Sequence, residues 1–265
     1  MDGVSVLTSI YHRNSICEVE RCFQSIIKQT YLPKELVVVY DGELSVNLYK
    51  KVNDYKCYLN INEVFIKSNM GLGFALHEGV KNCSFNYIAR IDIDDVCEPD
   101  RFKLQKKYLD FNTNIDILGG QITLFNDEGD FGKRTVPLKH VDLFRHSLLR
   151  NPLNHSTVMF RKSKILIAGN YPKVRYTQDY LLWVFCFSKD LKFANLPEIL
   201  VKMYSDKNLV KRRGLSYLTY DIKPYIQNYK FKNNGFFFLI FALIIRFLYN
   251  SLNSIKFALS NINDS

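Results

Sequence analysis

The chain has 265 residues, 47% hydrophobic and 23% charged, with 12 glycines and 7 prolines. That is enough apolar material for a sizeable core and too little compositional bias for a disordered or low-complexity chain. A formal net charge of +10 calls for an anionic partner, a class that holds nucleic acid, acidic lipid and phosphorylated small molecules alike. The six cysteines form no C-x-x-C pair and have no histidine at ligand spacing, which argues against a zinc site and for reduced, mostly buried thiols.

In chain order, VSVLTSIY at 4–11 is β-rich and ends in the polar HRNS, after which apolar Cys22, Phe23, Ile26 and Ile27 recur at helical spacing. The strand begins almost at once, with no basic segment and apolar stretch before it, so the chain is expected to stay in the cytosol. LVVVY at 36–40 reads as a strand covered on both faces and ends at Asp41-Gly42. A third strand, 62–66, leads through a glycine-bearing loop into a helix at 72–81, and a fourth, 87–91, runs into Asp92-Ile93-Asp94-Asp95. Alternation of this kind predicts a mainly parallel sheet flanked by helices, with ligands beyond the carboxyl ends of its strands. Later come strands near 115–124, 156–161 and 199–204 and a helix at 179–188. Residues 1–220 are read as one catalytic domain and 221–265 as a helical tail. In the tail, FFFLIFALIIRFLY at 236–249 has Lys230, Lys232 and Lys256 nearby. That apolar run falls well short of the roughly 20 residues that span a bilayer, and it suits an amphipathic segment lying on an anionic leaflet, with a core or dimer helix and a re-entrant hairpin as the alternatives.

Three carboxylates crowded at one strand end repel one another unless a cation joins them, and a hard divalent ion, magnesium or manganese, fits that arrangement. Asp94 is the first choice of ligand, with Asp95 or Asp92 assisting. Asp41 sits at another strand end, where it can accept from a base N–H. Gly71 and Gly73, in Asn69-Met70-Gly71-Leu72-Gly73, would let backbone approach a nucleotide or phosphate.

This order of motifs resembles the family 2 nucleotide-sugar glycosyltransferases of the GT-A fold over roughly residues 3–215. The resemblance implies an α/β, Rossmann-like domain in which Asp41 binds uracil and Asn69, Gly71, Arg90 and Asp92 lie near the nucleotide, with Asp94 and Asp95 at the D-x-D metal and diphosphate site. It also makes Thr177-Gln178-Asp179-Tyr180-Leu181-Leu182-Trp183 the counterpart of the Glu-Asp motif, with Asp179 the general base of an inverting transfer. Ionisation of a carboxylate at a helix start is favoured by the helix dipole. Gln178 stands where the family usually has glutamate, and Tyr40 where it often has a second aspartate. His155, Gln178 and Trp183 are placed on the acceptor side, and Lys211, Arg212 and Arg213 over the leaving diphosphate. The resemblance reaches to bacterial surface-polysaccharide transferases. The expected donor is a UDP-sugar, with galactose the single best choice. The expected acceptor is a lipid-diphosphate-linked sugar at the cytosolic leaflet, with the enzyme held peripherally on the inner face of the membrane. Nucleic acid is not expected as a partner, because carboxylates repel phosphates without a metal. Sugar-phosphate nucleotidyl transfer and a non-enzymatic membrane- or nucleic-acid-binding module are the alternatives, the first weakened by the lack of a glycine-rich loop in HRNSICE.

Overall fold

A computed structural model of the chain describes residues 3–205, 218–231 and 233–263. Strand β1 (Val4–Ile10) is followed by helix α1 (Ile16–Ile27), whose start is fixed by a reciprocal cap: the Ser15 hydroxyl accepts from the Glu18 N–H and the Glu18 carboxylate accepts from the Ser15 N–H. Then come β2 (Glu35–Asp41), α2 (Val46–Asp54), β3 (Ile61–Ile66), α3 (Leu72–Asn82), β4 (Tyr87–Arg90), β5 (Val96–Cys97) and α4 (Arg101–Phe111). The second half holds β6 (Ile117–Asn126), β7 (Gly129–Arg134), α5 (His140–Ser147), β8 (Met159–Arg161), α6 (Lys162–Ile167), α7 (Gln178–Ser188) and β9 (Phe193–Tyr204). Past the undescribed residues lie α8 (Leu218–Asp221), α9 (Lys223–Lys230) and α10 (Phe236–Asn263).

The strands form one sheet in the order β3-β2-β1-β4-β8-β6-β9-β5, with β7 on the flank of β6. Neighbours from β3 to β4 are parallel, as the apolar runs predict. From β8 onward the sheet is mixed: β8 is antiparallel to both β4 and β6, β9 is parallel to β6, β5 is antiparallel to β9, and β7 is antiparallel to β6. The expectation of a mainly parallel sheet therefore holds for its first half only.

The strand β2 is buried along its whole length because apolar layers cover both faces. One layer centres on Phe23, Leu48, Phe102 and Leu109, from α1, α2 and α4; the other on Leu76, Val80, Leu182 and Trp183, from α3 and α7. A third cluster joins Tyr180 and Val184 of α7 to Tyr225 of α9 and to Leu239 and Ala242 of α10. Four cysteines are buried and two, Cys17 and Cys57, are exposed, all as free thiols.

The helix α10 has 28 residues, ~42 Å at about 1.5 Å per residue. It extends well past the apolar run read from the sequence, and one of its faces packs against the domain while another is exposed. Leu239 and Ala242 pack on α7 and α9, and Arg246 donates to the Asp221 carboxylate at 3.0 Å through its Nε. Phe237 is 88% exposed, and Phe241, Ile244, Phe247 and Leu248 are exposed with it. Among the described residues no helix is long and apolar enough to cross a membrane.

Candidate active site

The strand β4 delivers the acidic cluster. Ile91 and Ile93 are buried in the core and pin the turn, so Asp92 and Asp94 emerge on its open side. The turn is closed by the Asp95 N–H on the Asp92 carbonyl and held from α1 by Arg21, whose guanidinium donates to the Asp94 carbonyl at 2.9 Å and lies over the rings of Phe125 and Tyr204. One oxygen from each of Asp92, Asp94 and Asp95 lies within 4.8 Å of the others. Burial, and next the neighbouring Asp92, pushes the Asp94 carboxyl up to about 7. Burial, and then Asp94 and Asp92, raises Asp95 well above the carboxylate range.

Asp92 and Asp95 are both engaged by Ser156. The Ser156 Oγ is 3.1 Å from Asp92 Oδ2 and hydrogen-bonds Asp95 Oδ2, while Asp95 Oδ1 accepts the Tyr204 N–H at 2.9 Å. A hydroxyl has one proton and cannot serve two carboxylates at once, so an added proton or cation satisfies the pair. Three hard oxygen donors converging on one point, with Asp94 the least committed of them, fit magnesium or manganese that keeps other positions for phosphate oxygens.

Arg90 is corrected from a nucleotide contact to a buried support. It is 1% exposed, pairs with Asp92 and donates to Ser156 Oγ at 3.2 Å. A fully buried guanidinium costs too much without such partners to be left open for a ligand.

On the other side of β1, Asp41 is 4% exposed at the end of β2, and its two oxygens accept the backbone N–H groups of Met70, at 2.8 Å, and Gly71, at 2.9 Å. In this structure the carboxylate shapes the 69–71 loop. Asn69 lies in the same loop, donating to the Asp41 carbonyl and accepting from Arg175 at 2.8 Å. The glycines do allow a close approach, but the approaching chain is the protein's own. Gly71, at φ +94°, lies against Arg175, and a Cβ on Gly73 would sit 2.4 Å from the Val174 carbonyl and 2.5 Å from that of Pro172. Gly73 thus seats the segment 172–178 on the start of α3, a correction to its reading as phosphate-binding backbone.

That segment leads into α7. Thr177 precedes the helix at φ +58°, a left-handed conformation that a β-branched residue adopts at a cost of about 1–3 kcal/mol. Asp179 lies in the first turn of α7, half-buried, with its Oδ2 accepting from Asn151 Nδ2 at 2.6 Å and facing His155 Nδ1 at 4.0 Å. His155 Nε2 meets the Tyr171 hydroxyl at 2.9 Å. Burial, assisted by Arg90, holds His155 well below the usual histidine range, so the ring is neutral and its approach to Asp179 is no ion pair.

Two acceptor-side expectations are corrected. Trp183 is 0% exposed and packs edge-on against His155 and Phe193. It shares a helix face with Asp179 but lies one turn deeper, in the core. Gln178 is also buried, with its Cβ about the Gly73 position. Lys211, Arg212 and Arg213 lie outside the described residues. Reading the sequence missed Asn151, Tyr171 and Arg175 as members of the site.

The first 168 positions carry all of the acidic cluster and the loop that Asp41 organises, and residues 5–168 match the family described as glycosyl transferase family 2. The chain belongs to that family. It is a glycosyltransferase, and nucleotidyl transfer and a non-enzymatic binding role are set aside. Among its relatives, the amylovoran biosynthesis glycosyltransferase AmsE of Erwinia amylovora is 34% identical over 233 residues, 88% of each chain. The UDP-Gal:alpha-D-GlcNAc-diphosphoundecaprenol beta-1,3-galactosyltransferase of Escherichia coli is 31% identical over 229 residues, 85% of this chain and 83% of that one. Among solved structures, S. aureus TarS 1-349 in complex with UDP superposes with a TM-score of 0.62 at 19% identity, over 80% of this chain and 63% of that one. That likeness gives the family 2 domain its GT-A fold.

Proposed function

We propose that the chain is an inverting transferase that moves a hexose, galactose first among the candidates, from a UDP-sugar to a hydroxyl of a lipid-diphosphate-linked sugar in bacterial surface-polysaccharide synthesis. The observation that carries the reading is that two consecutive residues serve both halves of the site: His155 faces Asp179, and the Ser156 hydroxyl lies within hydrogen-bond reach of Asp92 and Asp95. Consecutive Cα atoms lie about 3.8 Å apart, so a donor diphosphate at the acidic cluster and an acceptor hydroxyl at Asp179 belong to one reaction centre.

In this mechanism Asp179 takes the proton of the acceptor hydroxyl as its oxygen bonds the anomeric carbon and the bond from that carbon to the diphosphate oxygen breaks. By analogy with glycoside hydrolysis, the carbon passes through an oxocarbenium-like state. Magnesium or manganese, when bound by Asp94 and Asp95, supplies Lewis-acid neutralisation of the departing diphosphate. Asp92 borders the nucleotide side, and Asp41, through the 69–71 loop, shapes the pocket for uracil. The sugar assignment is supported by the name of the E. coli relative, and UDP by that relative and by the complex of the fold neighbour. Peripheral attachment to the inner face of the membrane is supported by the exposed apolar side chains of α10 beside the exposed Lys223 and Lys230.

The test is UDP release from a panel of UDP-sugars, with manganese or EDTA, given a lipid-diphosphate sugar acceptor. Turnover is expected to need the metal and to be lost in Asp94→Ala and Asp179→Asn, with UDP binding retained in Asp179→Asn. Failure of any UDP-sugar to bind with metal present overturns the reading.

A further inference from the structure

Asn151 lies between α5 and the turn that carries His155 and Ser156, on a stretch anchored by the buried Pro152, Leu153 and Asn154. Its amide has two ends with different tasks. The Nδ2 donates to Asp179 Oδ2 at 2.6 Å, and the Oδ1 accepts the Leu153 N–H at 3.3 Å. Turning the amide over would set oxygen against carboxylate and NH2 against N–H, so the two partners together fix its orientation.

Asp179 needs such a tether. A carboxylate in the first turn of a helix sits beside N–H groups with no partner inside the helix, and it folds back on them readily as a cap. That rotamer turns the oxygens away from an incoming hydroxyl. Neighbouring His155 does not prevent it, since at 4.0 Å its Nδ1 is beyond hydrogen-bond reach and the ring is uncharged. Among the described residues, the side-chain donor on Asp179 is the Asn151 amide, and no donor lies on Oδ1.

We infer that Asn151 is a positioning residue for the transfer: by holding Asp179 Oδ2 it presents Oδ1, with its lone pairs free, to the acceptor hydroxyl. The inference rests on the reading of Asp179 as the base. In this role Asn151 acts through Asp179, which gives it a signature that general destabilisation lacks.

The experiment is a cycle of Asn151→Ala and Asp179→Asn, singly and together, followed by single-turnover UDP release with manganese and by equilibrium binding of UDP. Asn151→Ala is expected to lower the rate about ten- to a hundredfold, within the range of general-base contributions, with UDP affinity and the donor KM unchanged. Asn151→Asp keeps the shape and the acceptor for the Leu153 N–H but sets a second carboxylate against Asp179, and it is expected to lose at least as much. In the Asp179→Asn background, Asn151→Ala is expected to cost nothing further, because its effect runs through a group already disabled. A wild-type rate in Asn151→Ala beside a slowed Asp179→Asn overturns the positioning role and leaves the base reading standing, as does an equal fold-loss on the residual single-turnover rate of Asp179→Asn. A wild-type rate in Asp179→Asn removes the base itself, and the role of Asn151 with it. Should Asn151→Ala fail to fold, Asn151→Asp decides in its place.

Discussion

Gly73 shows how one residue type can serve two purposes that look alike in sequence. A glycine before or within the first turn of a helix admits a close neighbour, and from sequence a phosphate is the obvious visitor. Here the neighbours are the carbonyls of Pro172 and Val174. Both belong to the backbone of the segment that ends at Thr177, so neither can swing aside as a flexible side chain would. Gly73→Ala is therefore expected to destabilise the fold by about 1–3 kcal/mol, as overpacking does, read as a lowered Tm. It should also lower kcat more than it weakens UDP binding, because the displaced segment leads directly into the first turn of α7, which holds Asp179. Gly129, with nothing near its Cβ position, is the matched control for lost space, although its own φ of +118° adds backbone strain there. A Gly73→Ala variant with unchanged Tm and kcat counts against this seating.

At the scale of elements, α7 is the hub: its first turn holds Asp179, its middle buries Trp183, and its far side takes α9 and α10 through Tyr180 and Val184. The tail helix thus leans on the helix that carries the proposed base and turns its other apolar residues outward. Replacing Phe237, Phe241 and Ile244 by serine is expected to reduce co-sedimentation with anionic vesicles severalfold while leaving Tm unchanged, since these side chains are exposed. Equal vesicle binding by the triple variant points away from a lipid surface. The β-rich stretch of β1, the continuous apolar run of β2 and the helical spacing of α1 were legible in sequence because period and burial agree there. Strand direction was legible in the first half only, where continuous apolar runs mark parallel strands covered on both faces; the antiparallel β8, three residues long, is too short to carry a pattern. The same limit applied to the site. The acidic cluster announces itself at a strand end, whereas Asp179 is reached through the family resemblance. Asn151 and Ser156 meet Asp179 and Asp92 across 28 and 64 positions of chain, and no local pattern encodes a loop amide that reaches a distant carboxylate. Arg90 is placed near the nucleotide by the family resemblance, and no sequence pattern shows its burial against Asp92 and Ser156.

At the scale of the whole molecule, the acidic cluster makes stability depend on pH and on divalent metal together. The Asp94 carboxyl, at about 7 in the folded chain against an ordinary 3.8, and the likewise raised Asp95 bind protons more tightly folded than unfolded. Stability drawn from that difference is fully present below the ordinary carboxylate value and is lost as pH rises through about 7. His155 runs the other way, held neutral by burial and by Arg90, so its contribution is lost as pH falls below the ordinary histidine value, and the metal-free chain is pressed from both sides. A divalent cation favours the ionised carboxylates and removes the alkaline loss alone. The Tm in EDTA is therefore expected to fall between pH 6 and about 8, and the gain in Tm on adding magnesium or manganese to grow over the same interval, because protons and metal compete for the same oxygens. In Asp94→Asn the metal-dependent gain should shrink or vanish, and the EDTA curve should flatten as one buried charge is removed. Thermal melts of both proteins across that interval, with metal and with EDTA, check each point without recourse to turnover. A metal gain independent of pH, or one retained in full by Asp94→Asn, places the divalent ion elsewhere on the chain.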